Sequence, residues 1–264
     1  MTPQAGAMIF SVLSDARADI ERATQRIAEI GYLGVETYGL EGIPPARIRR
    51  ALDNAGLQLT SAHVPFPAGP DFRRILDQSA ELGARTLVWS MEKEEFGTPA
   101  SVLLGLQRVN EASVNAAGYG MRIAYHNHFA EFSNRFDGRS AYELLLENLD
   151  PSVVVEFDMY WAQMGGADPA AVMRALGDRL ELVHVKDGPA VSYEGDTMVP
   201  IGEGALDMPA ALAAAARAGW LNVELERLAG DPWAALADGY RYMVDGGFCS
   251  GRKPAAIHEQ EESR

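Results

Sequence analysis

The stretch IAYHNHFAEF, residues 123–132, ends an apolar run in two histidines, an asparagine and a glutamate. Taken alone, His-Asn-His reads as a surface loop. Its meaning changes because other apolar runs of the chain end the same way. Short β-rich runs recur as MIFSVL from Met8, LGVETY from Leu33, LTSAHV from Leu59 and TLVWS from Thr86. They continue as RIAYHN from Arg122, VVVEFD from Val153, LELVHV from Leu180 and NVELE from Asn222. Between them lie amphipathic stretches. Ile20, Ala23, Ile27 and Ile30 fall at helical spacing, which lays an apolar stripe along one face. Asp168-Pro169 and Asp231-Pro232 read as helix starts, since Asp accepts the unsatisfied N–H groups of a first turn and Pro has no N–H to lose there. Gly31, Gly56, Gly83, Gly177 and Gly219 follow the helical stretches, where a left-handed closing residue is needed.

Strands alternating with helices imply parallel pairing through crossovers. Eight such units predict a single α/β domain, a closed (β/α)8 barrel of about 250 residues, over residues 1–250. An open doubly wound sheet would carry a glycine-rich phosphate loop after its first strand, and that place reads SDARADIERA. The polar, aperiodic GRKPAAIHEQEESR, residues 251–264, reads as a disordered tail.

The bulk numbers narrow the function. A formal net charge of −14 disfavours nucleic acid and anionic membrane surfaces, whose binding rests on clustered Lys and Arg. No apolar run is long enough to span a bilayer, and MTPQAGAMIF lacks the basic and apolar regions of a signal peptide. The single cysteine, Cys249, excludes an internal disulfide framework and builds no thiolate metal site by itself. A cytoplasmic protein acting on a small molecule is expected. A barrel of this kind is also compatible with self-association into a homo-oligomer.

In a (β/α)8 barrel the active site sits where the strands run into their helices, so the occupants of the strand ends decide the chemistry. They are Glu36, His63, Trp89 with Ser90, then His126, Asn127 and His128 with Glu131 just beyond, then Glu156 and Asp158, then His184, Lys186 and Asp187, then Glu224 and Glu226. Any one of these has an ordinary explanation as a helix cap, a core histidine or a weak surface ion pair. Buried charge, however, is costly unless paired or bound to a metal, and the ordinary explanation would be needed on four consecutive strands. His126 with His128, Glu156 with Asp158, and Glu224 with Glu226 are i, i+2 pairs, so each pair shares one face of its strand.

Mixed imidazole and carboxylate donors without sulfur suit one divalent ion: Mn²⁺, Co²⁺, Mg²⁺, Zn²⁺ or Fe²⁺. One ligand from each of the last four strands gives His126, Asp158, His184 and Glu224, with His128 and Glu226 as alternatives that parity does not separate. The ion would polarise a carbonyl and its neighbouring hydroxyl, and a base would remove the proton between them to give an enediolate held by the metal. Glu224, Glu131 and His128 are the candidate bases. Lys186 is placed at the developing oxyanion, or else in a rim salt bridge to Asp187 or Glu203. Glu36, His63, Trp89 and Trp161 are assigned to substrate binding, the two tryptophans as walls suited to a sugar face. The loop VSYEGDTMVPIGEGALD, residues 191–207, is expected to reach over the metal as a partial lid.

Read together and in order, YHNHFAEF, EFDMYWAQMGGADPAAVMRALGDRL, LVHVKDGP, VPIGEGALD and VELER resemble the sugar phosphate isomerase/epimerase group of the xylose isomerase-like TIM barrels, most densely over residues 125–227. The resemblance implies one divalent metal held by Glu, Asp, His and Glu from strands five to eight. Asp158, His184 and Glu224 match the last three, whereas His126 stands where the first glutamate is expected. In those epimerases the two glutamates are paired bases on opposite faces of the substrate carbon. Their reduction to one puts symmetric two-base epimerisation in doubt and leaves one-base isomerisation or β-elimination. The implied function is a metal-dependent isomerase or epimerase acting on a sugar or keto-sugar. The alternative is a lyase or dehydratase using the same enolate chemistry on a 3-keto-glycoside or keto-inositol. A DNA-repair endonuclease on the same barrel is disfavoured by the acidic charge.

Overall fold

The computed structural model describes residues 2–193, 195 and 197–252. Eight parallel strands close into a barrel: β1 Gln4–Met8, β2 Gly34–Thr37, β3 Gln58–His63, β4 Thr86–Trp89, β5 Arg122–His126, β6 Val154–Asp158, β7 Leu180–Val185 and β8 Trp220–Val223. Each pairs with its neighbours in the chain, and β8 returns to β1 through Gln4↔Trp220 to Ala7↔Val223. Helices wrap the outside, as the alternation predicts.

Two strand boundaries differ from the sequence reading. The first strand is QAGAM, ending at Met8 rather than starting there, and Ile9–Val12 already turns as a 3-10 helix into the helix Leu13–Ala18. The reading favoured β-branched residues, but the barrel interior here admits only small ones. A Cβ on Gly6 would lie 2.0 Å from Asn222 Oδ1. The last strand stops at Val223, so Glu224 and Glu226 stand on the loop that follows it.

The helix signals acted locally as expected. Asp168 accepts from the Ala171 amide at 3.1 Å and Asp231 from the Trp233 amide at 3.0 Å, each at a helix with proline in its first turn. Ile20, Ala23 and Ile27 are buried along the helix Ile20–Ile30, while Ile30 is only half-buried. Gly219 is a correction: its helix ends earlier, at Ala214, and its N–H instead donates to Glu181 O at 2.8 Å as the chain enters β8.

Most of the core lies between barrel and helices. Inside the barrel, apolar packing is confined to a plug at the N-terminal end, where Val88, Ala124 and Leu182 meet Val154 and Trp220. Above that plug the inward positions are polar. Strand parity therefore fills the C-terminal half of the lumen with ionisable side chains.

The loop after β7 is pinned by Asp187. Its buried carboxylate accepts amides from Gly188 (2.9 Å), Gly202 (2.9 Å), Gly204 (3.0 Å) and Leu206 (3.4 Å). A Cβ on Gly204 would fall 2.0 Å from Asp187 Oδ1, so the IGEG turn has no room for another residue. Glu203, in the same turn, is exposed and does not line the barrel mouth. At the C-terminus, Gly251 and Arg252 pack on the barrel, with the Arg252 amide donating to Gly31 O at 2.8 Å. The rest of the expected tail, with His258, lies outside the described residues. Among the described residues no helix is long and apolar enough to cross a membrane.

Two predictions follow from packing alone. A buried amide left without its acceptor costs about 1–3 kcal/mol, so Asp187→Ala is expected to lower stability in urea by about 3 kcal/mol and to open residues 188–206 to proteases. An unchanged unfolding midpoint would remove Asp187 from this role. Cys249 is buried, which pushes its thiol up to about 12. It should resist iodoacetamide in the native protein at about pH 8 and react once guanidinium unfolds the chain.

Candidate active site

The polar lumen is built as two floors, one above the other. On the lower floor Glu36 from β2 and Glu156 from β6 are fully buried. Glu156 Oε2 lies 3.0 Å from His126 Nδ1, and both oxygens of Glu36 lie 3.1 Å from His184 Nε2. Asn222 Nδ2 donates to Glu36 Oε2 at 2.5 Å, and His63 Nε2 sits 2.5 Å from Glu36 Oε1 and 3.2 Å from Glu156 Oε2.

The upper floor opens to the mouth. There His184 Nδ1 is 2.7 Å from Glu224 Oε2 and 3.8 Å from Asp158 Oδ2, and His126 Nε2 is 4.0 Å from the same Asp158 oxygen. Lys186 is buried among carboxylates, with Nζ 2.8 Å from Asp158 Oδ2, 2.6 Å from Glu224 Oε2 and 2.5 Å from Glu226 Oε1. The expected partners Asp187 and Glu203 are not used. Alternation along the chain sends Lys186 into the lumen and Asp187 toward the loop.

Two atoms of the upper floor test whether a divalent ion fits. His184 Nδ1 and Asp158 Oδ2 are buried 3.8 Å apart, the first in close contact with Glu224 and the second with Lys186. With Glu224 they offer ligand atoms within 4.8 Å of one another, and His126 Nε2 flanks them. The donor set is nitrogen and oxygen without sulfur, which fits a hard or borderline divalent ion. The lower-floor group of His63, His126, Glu156 and His184 is equally compact. However, its His126 and His184 nitrogens are already hydrogen-bonded to carboxylates.

Electrostatics follow from burial and these contacts. Burial raises the Glu224 and Glu36 carboxyls, but Lys186 and His184 outweigh it at Glu224, and His184 and His63 at Glu36, so both are held below the usual range. Burial and the nearby Glu36 push Glu156 up to about 7. Burial opposes protonation of His63 and His184, yet their carboxylate neighbours prevail and raise both, His63 to about 9. At His126 burial and the neighbouring His184 act together and lower it, and burial with Lys186 brings His128 down to about 3.

The wall of the mouth is formed by Met8, Phe10, Tyr38, His63, Ser90, His126, His128, Glu224 and Glu226. Of the two histidines, His126 is buried with its Nε2 4.0 Å from Asp158 Oδ2, while His128, half-buried, stands on the rim. Glu224 joins the donor group while Glu226 reaches only Lys186.

Three expected residues stand elsewhere. Glu131 is fully buried behind β5, where its Oε1 accepts the Tyr125 hydroxyl at 3.0 Å and the His128 amide at 3.1 Å, and burial pushes it up to about 8. It braces the turn and does not reach the mouth. Trp89 stacks on Phe66 with ring centres 4.1 Å apart, away from the wall. Trp161 is buried beneath Lys186, whose Nζ lies 5.4 Å from the ring centre. The aromatic side of the mouth is instead Phe10 and Tyr38, 5.5 Å apart. Glu36 lies under the site and His63 at its edge. Asn222 is missing from the strand ends named in the sequence, and Asn127, named there, carries no role in that reading. Asn222 is the residue two before Glu224, so parity alone would have placed it in the lumen. Asn127 ties β5 to β6 through both backbone groups of Asp158, at 3.1 and 3.0 Å.

Comparison with known proteins agrees with this architecture. The chain is 26% identical over 247 residues to the rhizopine catabolism protein MocC of Rhizobium meliloti, covering 79% of this chain and 75% of that one. A sugar phosphate isomerase/epimerase from Parabacteroides distasonis superposes with a TM-score of 0.76 at 23% identity, over 95% of this chain and 96% of that one. The probable 3-DHS dehydratase AsbF of Bacillus anthracis superposes with a TM-score of 0.69 at 15% identity, over 91% and 98%. At these identities the two structures show the shared fold. The family model for the xylose isomerase-like TIM barrel matches residues 24–244, nearly the whole closed barrel, and the chain belongs to that family.

Proposed function

We propose that this protein is a divalent-metal-dependent isomerase or epimerase that removes a proton next to the carbonyl of a sugar or keto-sugar. The observation that carries the reading is the buried cluster of Asp158, His184 and Glu224, whose ligand atoms lie within 4.8 Å of one another, with His126 Nε2 4.0 Å from Asp158 Oδ2. Those four side chains would hold the ion. Once bound, such an ion acidifies the C–H between a carbonyl and a hydroxyl by polarising both oxygens.

The remaining work falls to the chain. Glu224 belongs both to the donor group and to the wall of the mouth, so its carboxylate is the base placed to take the proton. Lys186, held by three carboxylates, keeps its ammonium beside Glu224 and donates to a substrate oxygen as charge develops there. His128 on the rim and Phe10 with Tyr38 orient the substrate and narrow access for water.

The substrate is inferred to be uncharged. Lys186 is the one lysine or arginine among the upper-floor contacts of the described residues, and three carboxylates already hold it. The wall contributes Glu224 and Glu226 but no arginine. A phosphate would find no guanidinium fork at the mouth to grip it.

A second reading is β-elimination. His126 stands where the resemblance expects a second carboxylate base, and of the two carboxylates at the mouth only Glu224 belongs to the donor group, with the Lys186 ammonium 2.6 Å from it. This pair suits removal of a proton and protonation of a departing oxygen as well as it suits isomerisation.

The protein is expected to bind one divalent ion per chain by elemental analysis, and Asp158→Ala and His184→Ala are each expected to lose it. With unphosphorylated ketoses in D₂O, exchange at carbon with retention of formula marks isomerisation, whereas loss of water or aglycone marks elimination. Glu224→Gln should cost about 10²–10⁴-fold in turnover. Lys186→Met should cost about 10²-fold while the ion stays bound. Full activity after exhaustive chelation, with no ion in the protein, would sink the reading.

A further inference from the structure

Both histidines of the donor group carry a carboxylate on the side away from the mouth. Glu156 Oε2 is 3.0 Å from His126 Nδ1, and Glu36 is 3.1 Å from His184 Nε2. Both carboxyls are fully buried and neither is part of the wall that a substrate meets. A neutral imidazole has one N–H and one lone pair, on opposite nitrogens, and a carboxylate can only accept. With an ion taking the upper nitrogen and, at His184, the Glu224 carboxylate beside it, the ring is neutral, the carboxylate below takes the N–H and the lone pair turns upward.

The two rings are used in opposite senses. His126 is held at Nδ1 and offers Nε2, while His184 is held at Nε2 and offers Nδ1. The offered nitrogens are the ones lying 4.0 and 3.8 Å from Asp158 Oδ2, and the one on His184 also lies 2.7 Å from Glu224, itself a member of the donor group. The floor is itself fixed from beneath. Asn222 donates to Glu36 at 2.5 Å, and Gly6 makes the room for it, since a Cβ there would lie 2.0 Å from Asn222 Oδ1.

We propose that Glu156 and Glu36 are positioning residues, each fixing the tautomer and ring plane of one histidine so that both lone pairs meet at the divalent ion. This rests on the ion placed at the mouth by the proposed function. Removing a carboxylate from behind a ligand histidine weakens metal affinity by about 10–100-fold.

The test uses the Zn²⁺-loaded protein. Long-range ¹H–¹⁵N correlation of the histidine rings should show His126 protonated at Nδ1 and His184 protonated at Nε2. Glu156→Gln and Glu36→Gln should each weaken Zn²⁺ binding about 10–100-fold in competition with a chromophoric chelator. Each should perturb the ring signals of its own histidine. In a His126→Ala background, Glu156→Gln should add no further loss. Reversed tautomers in the unmutated protein overturn the proposal without recourse to any variant. So do glutamine variants that bind as tightly as the parent, an additive double mutant, or two Zn²⁺ ions per chain, which would make the lower carboxylates ligands. An unmutated protein that binds no Zn²⁺, Mn²⁺ or Co²⁺ overturns the metal reading itself, and the proposal with it.

Discussion

The structure depends on one constraint: eight ionisable side chains must share the C-terminal half of a barrel lumen with little water to screen them. Glu36, Glu156, Asp158 and Glu224 face His63, His126, His184 and Lys186, and all but the edge residue His63 are buried. An isolated charge in such a place costs several kcal/mol, so each group is tolerable only because of its neighbours. The directions of their titration show how the balance is struck. Glu224 beside Lys186 and Glu36 beside His184 and His63 are held low, while burial raises Asp158 and, with Glu36 nearby, pushes Glu156 up to about 7. Protons and one ammonium hold the set near neutrality. A divalent ion entering the upper floor would displace protons, which couples metal affinity to pH through the whole cluster.

This explains the plainness of the rest of the fold. The apolar plug of Val88, Ala124, Leu182, Val154 and Trp220 seals the lumen from below, and ordinary amphipathic helices supply the outer core. Asp187 then uses the opposite face of the same β7 segment to clamp the loop that borders the mouth. Lys186 and Asp187 are adjacent in sequence and opposite in charge, yet they do not pair. Consecutive residues of an extended chain point to opposite sides, so one serves the lumen and the other the loop.

That rule also marks how much was legible in advance. The period of two correctly placed Glu156 with Asp158 and His126 on lumen-facing positions, and the repeated strand–helix phrase gave the barrel. Parity says nothing about depth, however. Residues two apart along a strand differ in height by about 6–7 Å, and this separates Glu156 beneath the histidines from Asp158 among them. Glu131 was unreadable for a different reason. It lies past the strand end, where backbone turns decide direction, and the His128 amide with the Tyr125 hydroxyl draws its carboxylate into the outer layer. Trp89 and Trp161 followed packing, not sugar recognition, because large flat side chains are worth more against Phe66 or beneath Lys186 than at a wet rim.

His126 in place of the expected glutamate has two linked consequences. It removes a carboxylate that could act as a second base, and it leaves a donor group of two imidazoles and two carboxylates. Two negative ligands would balance a divalent charge where three would overbalance it, and an ion held so would keep more of its pull on a substrate carbonyl. A site with this composition would give up symmetric proton transfer. The ammonium of Lys186 beside the remaining carboxylate completes an acid–base pair on one side of the mouth. That asymmetry, more than the fold it shares with its relatives, is what distinguishes the chemistry open to this chain.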